Sequence, residues 1–462
     1  MNTTIMRRSL SATGLALFLA WSQAAWGQAA SPAPAASAPK PPPVQPAVAV
    51  TIKTGNAICN DGSRAQYYLR KTQRADYKKK WLIVFQGGGS CRDEATCQER
   101  WLDYRHDKTY IGSHDNMVGD GGSTGMQEFD GRGILDEDGD GPATRNDNPF
   151  RHFNKIHVHY CSSDSWKGRG GKQTLDYTLP NGQRVRMDIV FHGADIAEEV
   201  IQIVKQGKAD GGSLLSESKL DEVPNDANSE VVLYGQSAGA SGLASQLDNF
   251  AAHFASPWWG GGDGGPKVWG IIDSNSIVGL PFWIKDKGFW PAAHYWSGSQ
   301  VTDRRDPASV LEANLHFDED CHATYPSYPN YILCMNPSRL MLHHIRTPFF
   351  VVENAYDGVI HGAYEERAYW TADKIRIAIT SGARDFPAHA GLFIPNFRKA
   401  QHVVGMDNST FLASDSNSSA PPNMVRPGQS SSVSMATALQ CFRAKQNGQT
   451  SRVCRFINET AR

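Results

Sequence analysis

The pentapeptide Gly235-Gln236-Ser237-Ala238-Gly239 has residue types suited to nucleophilic catalysis. It follows the β-rich run 231–234 and precedes a stretch with helical apolar spacing, 238–250. In a G-x-S-x-G turn between a strand and a helix, small flanking residues leave the serine hydroxyl exposed at the edge of the sheet. The first helical amides then point toward a developing oxyanion. The pattern predicts a nucleophile for acyl transfer at Ser237, and the structural alternative is a tight glycine turn with a capping serine.

A serine nucleophile needs a base and an acid that orients the base, and in α/β hydrolases both follow the serine in the chain. Asp357 comes just after the apolar run 349–353 and is the predicted acid, whereas Asp273, after the preceding run, is the rival. Three later histidines are candidates for the base. His402 is preferred over His389 and over His361, which stands only four residues from Asp357.

A glycine run predicts the second half of an oxyanion hole. Gly87-Gly88-Gly89-Ser90 follows the strand-like run 81–85, which precedes the nucleophile in the chain. Glycine lets backbone N–H groups approach an anion without interference from a Cβ atom. A plain glycine turn is the alternative, but a glycine loop after an earlier strand fits the oxyanion loop of esterases.

Short apolar runs alternate with helical patterns, as in a mostly parallel sheet. The predicted strands are 81–85, 156–160, 231–234, 268–272 and 349–353, and the predicted helices are 194–204 and 238–250. The fold class is therefore α/β, an α/β-hydrolase-like, mostly parallel sheet flanked by helices and interrupted by long loop insertions. The tryptophan- and glycine-rich stretch 256–269, with Trp258, Trp259 and Trp269, is predicted to be a loop near the substrate.

The composition excludes several classes of protein. The 462 residues contain 46 Lys and Arg and 47 Asp and Glu, so the formal net charge is −1, and no nucleic-acid partner is expected. Residues 1–27 are predicted to be a signal peptide, 28–50 an Ala/Pro-rich linker and 51–462 a single hydrolase domain. The protein is thus expected to be exported to a periplasm or the medium, with no transmembrane segment after signal removal.

Eight cysteines in an exported protein favour disulfides over zinc. Eight allow 105 pairings, so the sequence selects none of them. Short loops would be closed by Cys91 with Cys97, Cys321 with Cys334 and Cys441 with Cys454, which would leave Cys59 for Cys161.

The segment 136–147 resembles a twelve-residue calcium loop. Asp136, Asp138, Asp140 and Asp147 occupy positions 1, 3, 5 and 12, and Gly141 occupies position 6. Against a calcium site, Asp147 replaces the usual glutamate and Pro142 stands at position 7. A structural calcium ion and a solvated acidic turn are both kept as hypotheses.

Several motifs together resemble the pectin acetylesterase family of serine hydrolases, which includes the Notum carboxylesterases. The segments that carry the likeness are Ile58-Cys59-Asn60-Asp61-Gly62-Ser63, the run from Trp81 to Cys91, Tyr160-Cys161-Ser162-Ser163-Asp164-Ser165-Trp166-Lys167-Gly168, Phe191-His192-Gly193-Ala194, the Ser237 pentapeptide and Thr347-Pro348-Phe349-Phe350-Val351-Val352 with Tyr356-Asp357. The resemblance covers about residues 55–410, with insertions. Gln86 departs from it, because family members usually carry glutamate there.

The resemblance implies a triad of Ser237, Asp357 and His402 and oxyanion amides from Gly88, Gly89 and Ala238. It also implies the disulfide between Cys59 and Cys161 and those of the short loops. The expected function is a secreted serine carboxylesterase that removes acetyl groups from a polysaccharide such as pectin, with an ester as substrate and no cofactor required. The alternatives are an esterase for aryl, fatty-acyl or polyester substrates and a non-catalytic binding protein that keeps the hydrolase fold.

Overall fold

A computed structural model describes residues 47–91, 97, 133–136, 148–178, 182–207, 222–254, 264–275, 318–324, 334, 337–354, 357–359, 387–395, 402–406, 411 and 434–449. The predicted signal peptide and nearly all of the predicted linker lie outside these residues. The chain divides into two compact units, Met1–Pro43 and Val44–Arg462, and every described residue belongs to the second. The first strand begins at Val48, within the last residues of the predicted linker.

The ten described strands are β1 Val48–Thr51, β2 Gln66–Arg70, β3 Lys80–Phe85, β4 Asn154–Val158, β5 Lys172–Thr178, β6 Arg184–Val190, β7 Glu230–Gln236, β8 Lys267–Asp273, β9 Phe349–Val352 and β10 Ala390–Phe393. Eight of them form one mixed sheet in the order β1-β2-β4-β3-β7-β8-β9-β10. The run from β4 to β10 is parallel throughout, and β1 and β2 add an antiparallel edge. The remaining two strands, β5 and β6, form a separate antiparallel pair.

Five α-helices lie within the described residues: α1 Gly193–Gln206, α2 Ala238–His253, α3 Glu319–Thr324, α4 Pro337–His343 and α5 Met435–Gln446. Helix α1 ends at Gly207, whose φ of 65° is the left-handed conformation common after a helix. Helix α5 begins after Ser434, whose hydroxyl accepts the Thr437 N–H at 3.1 Å. The predicted α/β-hydrolase-like fold class is confirmed.

Alternating side chains of the central strands divide the core between the two faces of the sheet. In β3, Trp81, Ile83 and Phe85 pack with residues of α1 and α2, whereas Leu82 and Val84 pack on the opposite face with residues of α5. Strand β7 is buried along its whole length, as is typical of a central parallel strand covered by helices on both faces. Each fully buried Val, Ile or Leu stabilises this arrangement by about 1.5–3 kcal/mol.

The prediction that Trp269 lies in a loop near the substrate is wrong. It lies within β8, is 2% exposed and donates its indole N–H to Glu230 Oε1 at 3.1 Å. Its side chain therefore belongs to the core. The strand pattern at 268–272 takes precedence over the composition of the preceding stretch, because a large apolar ring in a central strand is buried with its neighbours. Trp258 and Trp259 lie outside the described residues.

Candidate active site

Ser237 stands in a sharp turn between β7 and α2. Its φ of 53° and ψ of −116° are unusual for a non-glycine residue and cost about 1–3 kcal/mol. The flanking glycines make the turn feasible. A Cβ on Gly239 would lie 2.1 Å from the carbonyl oxygen of Phe85, and a Cβ on Gly235 would lie 2.4 Å from the carbonyl oxygen of Gly239. The local sequence thus builds the turn expected of a nucleophile elbow.

His402 joins Ser237 to Asp357 through two short hydrogen bonds. Its Nε2 lies 2.8 Å from Ser237 Oγ, and its Nδ1 lies 2.7 Å from Asp357 Oδ2. An ionised carboxylate accepts from Nδ1–H, so that Nε2 is left as the acceptor that faces the serine hydroxyl. The histidine side chain is 24% exposed, whereas that of Asp357 is fully buried. The structure therefore brings together the three residues preferred from sequence.

A further hydrogen bond fixes the orientation of the Asp357 carboxylate. Its Oδ1 accepts the Val359 N–H at 2.9 Å, which leaves Oδ2 directed at the imidazole. Asp357 lies just beyond the end of β9, where acids of α/β hydrolases are expected.

Asp273, the rival acid, has a different set of partners. Its buried carboxylate accepts from the Tyr234 hydroxyl at 2.6 Å, the Ser274 hydroxyl at 2.7 Å and the Gly405 N–H at 2.7 Å. It also accepts the Val404 N–H at 3.2 Å. Burial raises the pKa of this carboxyl above its usual range, and the four donors oppose that shift. Asp273 therefore binds the backbone that follows His402 rather than the imidazole itself.

Of the two alternative histidines, only His389 lies in the described part of the chain. His389 immediately precedes β10, with Nε2 2.9 Å from the carbonyl oxygen of Ile345 and its ring edge-on to Phe349. His361 lies outside the described residues.

The glycine loop 87–89 lies against the elbow. A Cβ on Gly87 would be 2.7 Å from the carbonyl oxygen of Gln236 and 3.0 Å from Ser237 Cβ. Gly88 and Gly89 have φ of 147° and 72°, which favour glycine. Ala238 is the first residue of α2, whose first amides have no acceptor within the helix. The glycine loop thus starts against the elbow and Ala238 directly follows Ser237, while the role of the Gly88, Gly89 and Ala238 amides as oxyanion donors stays a prediction.

Asn275 is a site residue that no motif of the sequence predicts. Its Nδ2 donates to the carbonyl oxygen of Ser237 at 2.8 Å, and the Ser237 N–H donates to the carbonyl oxygen of Asp273 at 2.8 Å. Both backbone groups of the nucleophile are therefore held from the end of β8. The signal in the sequence was the polar run Asp273-Ser274-Asn275 directly after a predicted strand.

The disulfides and the acidic loop were predicted from the same sequence. Bonds join Cys59 to Cys161, Cys91 to Cys97 and Cys321 to Cys334, and Cys441 is also disulfide-bonded while its predicted partner Cys454 lies outside the described residues. Within the described ranges no three His, Cys, Asp or Glu side chains form a group suited to a metal ion. Asp136 is buried, but Asp138, Asp140 and Asp147 lie outside those ranges, so the calcium loop stays a prediction.

Known proteins resemble this chain in sequence and fold. A family model described as Pectinacetylesterase matches residues 42–399. The palmitoleoyl-protein carboxylesterase Notum of Drosophila melanogaster is 32% identical over 306 residues, which cover 65% of this chain and 36% of that protein. Pectin acetylesterase 5 of Arabidopsis thaliana is 26% identical over 310 residues, 66% of this chain and 55% of the plant protein. The chain thus spans between about a third and just over half of the length of these relatives.

A solved structure of the Wnt deacylase Notum from Drosophila has the same fold. It superposes with a TM-score of 0.57 at 21% sequence identity and covers 88% of this chain and 95% of the solved chain. The family model spans well over half of the present sequence. The chain belongs to the pectinacetylesterase family, a family of carboxylic ester hydrolases.

Proposed function

We propose that this protein is a serine carboxylesterase that works through an acyl-enzyme formed on Ser237. The observation that carries the proposal is the hydrogen-bonded chain from Asp357 through His402 to Ser237, at 2.7 and 2.8 Å. These distances lie within the reach required for a nucleophile and its general base. Family membership supports the same class of reaction.

In the first half of the reaction, Ser237 Oγ attacks the ester carbonyl carbon while its proton passes to His402 Nε2. The carbonyl π electrons move to oxygen, and the resulting oxyanion accepts hydrogen bonds from the amides of Gly88, Gly89 and Ala238. When the tetrahedral intermediate collapses, the bond to the alcohol oxygen breaks and His402 donates the proton to that oxygen. The alcohol leaves and the acyl group stays on Ser237.

In the second half, water takes the place of the alcohol. His402 removes a proton from the water as it attacks the acyl carbon, and the same proton returns to Ser237 Oγ when the acid leaves. Asp357 stabilises the imidazolium that forms in each half and keeps the Nδ1–H tautomer. This two-step reaction needs no redox group and no co-reactant besides water.

The proposed substrate is an acetyl ester on a polysaccharide such as pectin. The family description and the plant pectin acetylesterase support it. A fatty-acyl ester is the second candidate, because the Drosophila relative at 32% identity is named as a palmitoleoyl-protein carboxylesterase. The two differ in the length of acyl chain that the site must bury, which a series of substrates measures directly.

The proposed setting is outside the cytoplasm. Three disulfides within the described residues support export, because such bonds persist in oxidising compartments. Among the described helices, none is long and apolar enough to cross a membrane.

The test is hydrolysis of p-nitrophenyl acetate, butyrate and octanoate, together with acetate release from acetylated pectin. Ser237→Ala is the inactivating variant. Ser245→Ala is its matched control, because Ser245 is a buried serine of α2, the helix that follows Ser237, and its hydroxyl donates to the Ser241 carbonyl oxygen at 3.1 Å. We expect acetyl esters and pectin to be turned over by the parent and by Ser245→Ala, but not by Ser237→Ala.

Two other results would change the assignment. A preference for octanoate without pectin turnover would favour the fatty-acyl candidate, to be followed with a palmitoleoylated peptide. Absence of Ser237-dependent hydrolysis on every ester would refute the esterase proposal and favour the non-catalytic binding protein.

A further inference from the structure

The segment 160–168 contains an unusual concentration of strained backbone. Ser163, Ser165 and Trp166 have φ of 52°, 52° and 62°, and each is at most 6% exposed. The left-handed region is unfavourable for a residue with a Cβ atom. Such strain persists only where the surroundings impose it, and it is concentrated at functional sites.

The carboxylate of Asp164 holds this segment in its strained form. It accepts the Ser162 hydroxyl at 2.6 Å and the backbone N–H groups of Trp166 at 3.0 Å and Gly168 at 3.1 Å. The Gly193 N–H at the start of α1 donates to it at 2.7 Å. Burial raises the pKa of Asp164 to about 6, and these hydrogen bonds oppose the shift. The segment 160–168 is therefore buried and held rigidly by these hydrogen bonds, unlike a surface loop.

The segment 160–168 anchors both ends of the glycine loop. The Tyr160 hydroxyl donates to the carbonyl oxygen of Gly89 at 2.9 Å, and the Trp166 indole N–H donates to the carbonyl oxygen of Gln86 at 2.8 Å. Tyr160 is itself fixed, because its hydroxyl oxygen accepts the Ser165 N–H at 2.6 Å. The strained turn thus places the backbone amide that orients the tyrosine.

The segment 160–168 also packs against α2, the helix that follows the nucleophile. A Cβ on Gly242 of α2 would lie 2.3 Å from Trp166 Cβ and 2.5 Å from the carbonyl oxygen of Ser165, so this segment and the helix are in close contact. Gln246 of α2 donates its side-chain amide to the carbonyl oxygen of Trp166. One rigid segment therefore contacts both parts of the proposed oxyanion hole, the glycine loop and α2.

The two anchored carbonyls lie on either side of the peptide groups that carry the proposed oxyanion donors. The N–H groups of Gly88 and Gly89 belong to the peptide planes between residues 87 and 88 and between residues 88 and 89, which lie between the anchors on Gln86 and Gly89. Glycine imposes little conformational restriction of its own, so the direction of these N–H groups has to be set from outside the loop. An oxyanion hole stabilises a transition state only when its donors are already in place.

We propose that Tyr160 and Trp166 are positioning residues that preorganise the oxyanion hole by holding the carbonyls at the two ends of the glycine loop. This inference rests on the proposed esterase function. Neither side chain takes part in the chemistry. Their loss allows the peptide planes at 87–89 to rotate, which weakens binding of the oxyanion and leaves binding of the uncharged ester unchanged.

The experiment compares Tyr160→Phe and Trp166→Phe with the control Tyr67→Phe. Tyr67 is a buried tyrosine of β2 whose hydroxyl has no hydrogen-bond partner among the described residues, so that its removal changes hydroxyl content without touching the loop. The measurements are kcat and KM for p-nitrophenyl acetate and the inhibition constant of a trifluoromethyl ketone, which forms a tetrahedral oxyanion on Ser237. Thermal unfolding establishes that each variant is folded.

Removal of a direct oxyanion donor lowers kcat by about 10²–10³. Tyr160 and Trp166 act on the donors only through a hydrogen bond to the loop, so the loss of either should lower kcat by less, about 10- to 100-fold. We expect kcat to fall by this factor in Tyr160→Phe and in Trp166→Phe while KM stays within about twofold. The inhibition constant should rise by the same factor as kcat/KM falls, because the ketone adduct resembles the transition state. Tyr67→Phe should match the parent in all three.

Two results would overturn the inference alone. The first is a parent that is active while both anchor variants keep their kcat and their inhibition constant. The second is a fall in activity that only follows the fraction of unfolded protein. A parent that hydrolyses no ester and binds no ketone would refute the proposed function itself, and with it the anchoring role.

Discussion

Replacing Asp357 by asparagine should reverse the direction of one hydrogen bond to His402. Asp357 Oδ1 accepts the Val359 N–H at 2.9 Å, and Oδ2 accepts from the imidazole Nδ1 at 2.7 Å. Asparagine has a single carbonyl oxygen, and that oxygen is expected to accept the Val359 N–H. Its NH2 group then faces His402 Nδ1 and donates to it. That donor stabilises the tautomer with the proton on Nε2, which cannot accept the proton of Ser237.

The structure also sets the size of the loss. The opposite amide orientation would restore the active tautomer but place NH2 against the Val359 N–H, at a cost of about 1–3 kcal/mol, or about 5- to 150-fold. Loss of the charge that stabilises the imidazolium adds to this. We therefore expect kcat of Asp357→Asn to fall by about 10² to 10⁴, the upper figure being that of the same substitution in serine proteases.

Asp273→Asn is the matched comparison. The carbonyl oxygen of the asparagine can keep the Tyr234 hydroxyl and the Gly405 N–H, while its NH2 group faces the Ser274 hydroxyl, which rotates to accept. No group that touches the imidazole changes, so kcat should fall by less than about tenfold. Both variants are assayed on p-nitrophenyl acetate, with thermal unfolding as the check on folding. A larger loss in Asp273→Asn than in Asp357→Asn would refute the assignment of the acid.

Three further predictions concern stability. Ser237→Gly should be more stable than Ser237→Ala by about 1–3 kcal/mol in denaturant unfolding, because glycine adopts a φ of 53° without strain; equal stabilities would contradict the strain. Burial raises the pKa of Asp318 to about 6, above its unfolded value of about 3.9, so the folded parent binds the proton more tightly and loses stability as the pH rises from about 4 to about 6. Asp318→Asn keeps an acceptor for the Cys321 N–H, so its melting temperature relative to the parent should rise over that interval, and a constant difference would contradict the prediction. Replacing both Cys59 and Cys161 by alanine opens a link across 102 residues and should lower stability by about 2–5 kcal/mol, whereas a smaller loss would indicate that the denatured chain is already compact.

Much of the fold could be predicted from the sequence because its signals are local. The predicted strands at 81–85, 231–234 and 268–272 fall within β3, β7 and β8, since runs of β-branched and aromatic residues form the buried centre of a parallel sheet. The antiparallel edge formed by β1 and β2 was not predicted. Edge strands depend on which distant segment they pair with, and their own patterns are weak.

The candidate site divides in the same way. The sequence by itself determined the turn at Ser237, because glycines at 235 and 239 between a strand pattern and a helix pattern allow few other conformations. It favoured Asp357 over Asp273 but left both open, since one ends a parallel strand and the other follows the neighbouring strand at the same edge of the sheet. It could not identify the base from local residues either, because 165 positions separate His402 from Ser237 and no periodic pattern surrounds the histidine. Only the tertiary structure shows that Asp357 and His402 meet at Ser237, since hydrogen bonds of 2.7 and 2.8 Å depend on how whole strands and loops pack against each other.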